Sequence, residues 1–199
     1  MSSILTKENL TTRQQKAISY WTSPSKAKWY RGIKQACENK YNNSVHIVSS
    51  NHVIWFESLE SLFQDYEDNT LQYTPIYRAD IIENKTNNML KNNEVFHNFC
   101  SQFKQGKVFE FESRLCSFSA CKEIAKDIMT KSDKYSSSYT PTVLYILEER
   151  HSKYLYIADC TVMYREKEIL NYNANPFIVT YVNILDNNCI ELFINEIID

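Results

Sequence analysis

Glu166 and Glu168 stand two residues apart, immediately before the apolar run Ile169-Leu170. Read as the opening of a strand, that spacing sets both carboxylates on one face, about 7 Å apart. At an effective dielectric of 20 their repulsion is about 2 kcal/mol, enough to push one pKa up by one to two units where water is partly excluded. A second group is Ser117-Phe118-Ser119, where a strand pattern from Leu115 to Phe118 runs into a helical pattern through Ile124, Ala125 and Ile128. Ser119 suits the N-cap of that helix, with Glu123 near its first turn. Ser117 has no such duty, and strand alternation puts its hydroxyl on the same face as Ser119. The third is Arg78, which follows the short run Ile76-Tyr77 just after Pro75. Each has an ordinary reading alone: a surface arginine at a strand end, a capping serine, a solvated edge of alternating charge.

Elements must bring these groups together, and the pattern of apolar residues divides the chain between two kinds. Residues 8 to 40 carry helical spacing through Ala17, Ile18 and Trp21, then, after a break at Ser23-Pro24-Ser25, through Ala27, Tyr30, Ile33 and Cys37. Val45 to Phe56 is β-branched and aromatic with polar interruptions, whereas Leu59, Leu62, Phe63 and Tyr66 suit an amphipathic helix. From Thr74 short β-like runs take over: Pro75 to Tyr77, Val108 to Phe111, Leu115 to Phe118, Val143 to Leu147, Tyr154 to Ile157, Ile169 to Tyr172, Phe177 to Ile184 and Cys189 to Ile194. Between them lie a polar segment, Glu83 to Gln105, with helical Met89, Phe96, Phe99 and Phe103, a short helix from Ser119 to Thr130, and a Tyr- and Ser-rich loop from Ser132 to Thr140. The expectation is a single α+β domain.

Composition removes several function classes. The 199 residues suffice for one sizeable core, and 43% hydrophobic with 23% charged residues is a globular balance. A net charge of -2 lacks the broad basic footprint of a non-specific nucleic-acid binder, so nucleic acid is not indicated as a partner. Only two glycines occur, Gly32 and Gly106, which excludes glycine-rich phosphate loops. There is no run of about 18 apolar residues and no signal-type apolar stretch, so no membrane partner is expected. Six scattered cysteines form no C-x-x-C pair and have no nearby His; they read as reduced thiols of a cytoplasmic protein, with no metal site.

Taken in order, an arginine at a strand end, a strand-Ser-x-Ser-helix unit and Glu-x-Glu opening a later strand resemble the Arg-Ser-Glu class of mono-ADP-ribosyltransferases. Arg78 leads Ser117 by 39 residues, and Ser117 leads Glu168 by 51. The resemblance covers about residues 74 to 184, with Gly106-Lys107-Val108-Phe109 ahead of the serines, Thr142 to Leu147 after their helix, and Asn-Pro-Phe-Ile-Val after the glutamates. Short phage-encoded transferases that modify host proteins are the most similar in size and in their R-E-x-E wording. Two departures stand out: Ala79 follows Arg78 where family members often have Gly, and Phe118 stands where many have Thr. Tyr30-Arg31-Gly32 matches the Tyr-Arg-Gly form better, but it lies in a helical pattern 86 residues before Ser117, measured from Arg31.

The resemblance implies a helical N-terminal lobe, residues 1–70, and a mainly antiparallel two-sheet core that binds NAD, residues 71–199. It implies NAD as the substrate, no metal, and transfer of ADP-ribose to arginine on a target protein of a host, in the cytoplasm. Arg78 would contact the NAD phosphates, with Tyr77, Phe118 and Ser119 in the same binding set. Ser117 would orient Glu168, which would bind the nicotinamide ribose and stabilise the cation formed there. Glu166 would serve the acceptor guanidinium, since a Glu at that position goes with arginine acceptors. Phe118, Tyr135 and Tyr139 are the candidates to hold nicotinamide. Alternative readings are an NAD glycohydrolase or a nucleic-acid ADP-ribosyltransferase on the same fold, and a binding or inhibitor module without catalysis.

Overall fold

The computed structural model describes residues 4–22, 27–82, 92–132, 141–161, 164–172, 175–185 and 189–198. Its elements are α1 (Thr12–Thr22), α2 (Ala27–Tyr41), α3 (Ser50–Asp65), β1 (Ile76–Ile81), α4 (Asn92–Gln102), β2 (Val108–Phe109), β3 (Leu115–Ser119), α5 (Lys122–Ser132), β4 (Thr142–Glu149), β5 (Tyr154–Tyr156), β6 (Glu168–Tyr172), β7 (Phe177–Leu185) and β8 (Cys189–Glu196). Hydrogen bonding joins the strands in the order β2-β7-β8-β4-β1-β3-β6-β5. This is an α+β fold with a mainly antiparallel sheet in which β4 and β8 run parallel. Where two sheets were expected, the eight strands share one hydrogen-bonded order. The Ser23–Ser25 break, Met89 and the loop bearing Tyr135 and Tyr139 lie outside the described residues.

The chain forms two compact units. The first comprises residues 1–72, 111–117 and 152–174. Here α1, α2 and α3 share one core with Leu115, Leu155, Ile157 and Leu170, to which Ile18, Trp21, Ile33, Phe56, Leu59 and Leu62 contribute. Helix α1 starts at Thr12 because Thr11 and Gln14 form a reciprocal cap: the Thr11 N–H donates to Gln14 Oε1 at 3.0 Å and the Gln14 N–H to Thr11 Oγ at 3.2 Å. The Gln14 amide then donates to Asp65 at 2.8 Å and Ser61 at 3.1 Å, tying α1 to α3.

The strand-like reading of Val45 to Phe56 gives way to helix from Ser50 onward. Ser49 caps α3, with the His52 N–H donating to its hydroxyl and the His52 ring accepting from the Ser49 N–H. Such a cap contributes about 1 kcal/mol, enough with the buried Phe56, Leu59 and Leu62 to outweigh the β-branched Val53 and Ile54. Gly32 of α2 lies against the same imidazole; a Cβ there would stand 2.5 Å from it.

The second unit comprises residues 73–110, 118–151 and 175–199. Its centre is β4, whose Val143 to Leu147 are all buried, flanked by β1 (Tyr77 opposite Ile146) and β8 (Ile146 opposite Phe193). The end of β3 pairs with β1, Tyr77 opposite Ser119.

Candidate active site

In the first unit β6 carries Glu168 and β3 carries Ser117. The Ser117 hydroxyl donates to Glu168 Oε1 at 2.5 Å. A third group joins them from α1: Trp21 Nε1 lies 2.8 Å from Ser117 Oγ and 2.9 Å from Glu168 Oε1. Glu168 is only 7% exposed, and its other oxygen, Oε2, is buried with no hydrogen-bond partner. Burial is the largest influence on this carboxyl and pushes its pKa up to about 7; the nearby Glu166 charge adds to the rise, against the hydrogen bonds from Ser117 and Trp21.

Glu166 does not share an extended segment with Glu168. It ends a 3₁₀ turn, Tyr164–Glu166, and Lys167 between the two glutamates has φ 47°. Left-handed backbone at a lysine is uncommon and costs on the order of 1 kcal/mol. The turn leaves Glu166 half-buried while Glu168 enters the strand. The expected one-face geometry is therefore replaced by a kink, and the charge coupling survives it.

The remaining candidates sit in the second unit. Arg78 of β1 makes a two-point pair with Asp80, Nε to Oδ2 at 2.7 Å and the terminal nitrogen to Oδ1 at 2.9 Å. The two residues share a strand face at i and i+2, and the arginine side chain is 13% exposed. Beside it Tyr77 is half-buried, with its phenol pKa raised by burial. Phe118 is buried at 3% exposure. Ser119, expected to cap the following helix, instead accepts from the Cys121 N–H at 3.1 Å in a turn; α5 begins later, at Lys122, closed by the Ala125 N–H to Cys121 carbonyl bond.

Trp21 and Asp80 escaped the sequence reading. Trp21 entered it only as an apolar position of helical spacing, and its indole N–H reaches a residue 147 positions away. Among the described residues no group of His, Cys, Asp and Glu could hold a metal ion, and no helix is long and apolar enough to cross a membrane.

No family model and no curated protein matches the chain. Solved structures do match. The Vis toxin, an ADP-ribosyltransferase from Vibrio splendidus, is 13% identical with a TM-score of 0.64, over 96% of this chain and 76% of Vis. The Clostridium limosum C3 exoenzyme is 14% identical with a TM-score of 0.63, over 100% and 98% of the two chains. Exoenzyme S from Pseudomonas aeruginosa, solved with 14-3-3 protein beta and carba-NAD, is 11% identical with a TM-score of 0.59, over 94% and 74%. At such identities the likeness establishes the fold: the chain has the fold of the ADP-ribosyltransferases.

Proposed function

We propose that the chain transfers ADP-ribose from NAD to arginine side chains of a target protein, releasing nicotinamide. The observation that carries the reading is Glu168: a buried carboxylate held through one oxygen by Ser117 and Trp21, with the other oxygen unpartnered. Breaking the nicotinamide-ribose bond sends the bonding pair to nicotinamide and leaves positive charge on the sugar. A fixed, water-poor carboxylate stabilises that charge without having to reorganise. Its Oε2 is the atom available to accept the ribose 2′-hydroxyl.

Arg78 takes the NAD phosphates, its planar fork oriented by Asp80. Tyr77, Phe118 and Ser119 belong to the same NAD-binding region. Glu166 faces the acceptor: it pairs with the guanidinium and takes the proton released when the guanidinium nitrogen bonds to the ribose carbon. A guanidinium acceptor draws support from the Vis toxin, which has been solved in complex with agmatine, itself a guanidinium compound. NAD as substrate draws support from the carba-NAD complex of exoenzyme S. The target is a protein of the host cytoplasm, whether the chain is phage-encoded or a delivered effector.

The test is incubation of the protein with labelled NAD and a bacterial lysate, followed by mass spectrometry of the labelled band. ADP-ribose on arginine is the expected product. Nicotinamide release without any labelled protein would replace transferase with glycohydrolase, and no NAD consumption at all would leave a binding module.

A further inference from the structure

Trp21, outside the expected constellation, touches both of its central members. We propose that Trp21 is a positioning residue whose indole N–H fixes the direction of the Ser117 hydroxyl proton and holds Glu168 by one oxygen, so that Oε2 stays turned to substrate. The role assigned to Glu168 rests on the transferase reading; the hydrogen-bond relay itself does not.

Donor chemistry gives the relay its direction. An indole nitrogen can only donate, and an ionised carboxylate can only accept. With Trp21 Nε1 at 2.8 Å from Ser117 Oγ, the indole proton occupies a lone pair of the hydroxyl, and the single hydroxyl proton is left to point at Glu168 Oε1. The same N–H lies 2.9 Å from Oε1, closing a triangle. Both protein donors therefore converge on one oxygen, and the other is left unpartnered.

Neutrality matters as much as direction. A lysine or arginine in this place would orient the carboxylate equally well, but its charge would cancel the negative field that a developing cation needs. Indole orients and leaves the charge intact. Glu166 is a charged group that acts on Glu168, and the Tyr30 ring packs against the indole, 4.4 Å between centroids.

Trp21 is itself held fast. It is 3% exposed within the helical core. The next residue, Thr22, donates to the Ile18 carbonyl at 3.0 Å, so the proton in its 2.7 Å contact with Thr161 comes from Thr161. That bond fastens the end of α1 to the segment leading into the 3₁₀ turn of Glu166.

The experiment replaces Trp21 with β-(3-benzothienyl)alanine, which keeps the bicyclic shape and substitutes sulfur for the N–H, alongside Trp21→Phe. Both should lower kcat for nicotinamide release about tenfold or more, leave KM for NAD within about threefold, and move the acidic limb of the pH profile upward, since a hydrogen bond favouring the ionised form is gone. In parallel, the ¹⁵N-indole resonance of Trp21 in the unmodified protein should titrate with a midpoint at about 7. That titration should vanish in Glu168→Gln. It needs no NAD, so it reads the relay even in a protein without transferase activity. A folded benzothienyl variant with unchanged kcat and an unshifted limb would overturn the positioning role, and an indole signal indifferent to Glu168 would overturn the relay.

Discussion

Two glutamates, one in each unit, show nearly the same small surface and meet opposite fates, Glu168 being the more deeply enclosed. Glu168 is 7% exposed and Glu191 of β8 is 6% exposed. Burial works to raise the pKa of both. At Glu191 it is outweighed by hydrogen bonds from Lys122 and Asn183 and by the charges of Lys122 and Lys126, and the carboxyl falls below its usual range. Lys122 Nζ lies 2.8 Å and Lys126 Nζ 3.4 Å from Oε1. Among the described residues Glu168 has neutral donors, Ser117 and Trp21, and the like charge of Glu166, and stays high. Low surface exposure alone therefore does not fix a carboxyl's protonation; depth of burial and the presence or absence of a partner cation do.

The largest expected effect breaks this pair apart. Glu168→Gln should keep its fold and lose about 10²-fold or more in NAD turnover, whereas Glu191→Gln should retain most activity. Steady-state nicotinamide release on both proteins checks it; comparable losses would erase the distinction.

Next, NAD affinity by calorimetry should fall about tenfold in Arg78→Lys, because an ammonium does not reproduce the planar fork that Asp80 orients. Arg31→Lys, at an exposed position of α2, should change it less than twofold. The reverse ranking would move the phosphate contact into the helical region.

Stability against pH sharpens the comparison further. The folded pKa of Glu168, about 7, exceeds the ordinary 4.5. Between those values the unfolded chain releases the proton and the folded chain keeps it, so this group's contribution, full below pH 4.5, is lost as pH rises through 7. The sum is about 3 kcal/mol. Glu191 behaves oppositely: its contribution is present above the ordinary carboxyl range and lost as pH falls. Urea midpoints from pH 4 to 8 should show Glu168→Gln gaining on the parent as pH rises. Glu191→Gln should be weaker at neutral pH, by about 1 kcal/mol given its partly exposed lysines, and approach the parent in acid.

The smallest effect concerns Glu166→Gln. Removing a like charge should move the acidic limb for NAD hydrolysis downward from about 7, while transfer to arginine is lost and slow hydrolysis persists. Equal loss of both activities would assign Glu166 to the NAD half of the reaction.

Much of this was legible because it is local. Ser117 stood out as a hydroxyl in an apolar strand that capping could not explain, and the strand of Glu168 announced itself through Ile169-Leu170. What was illegible depends on folding over distance or on single backbone angles. Trp21 obeys helical spacing and gives no sign that its N–H meets β3 and β6. Lys167 carries no residue signal for its left-handed turn, so the two glutamates read as one strand face. The α3 start was hidden because His52, rather than Glu or Gln, completes the Ser49 cap.

Tyr30-Arg31-Gly32, the motif with the better wording, has a packing explanation where α2 meets α3. Gly32 is a spacer: the atom it lacks is the one that would strike the His52 ring, and that ring accepts the Ser49 N–H at the head of α3. Tyr30 meanwhile backs the indole of Trp21 at 4.4 Å. The tripeptide thus buttresses both the head of α3 and the indole beside the carboxylate, and a methyl group added at Gly32 would be felt first as a loosened helix cap.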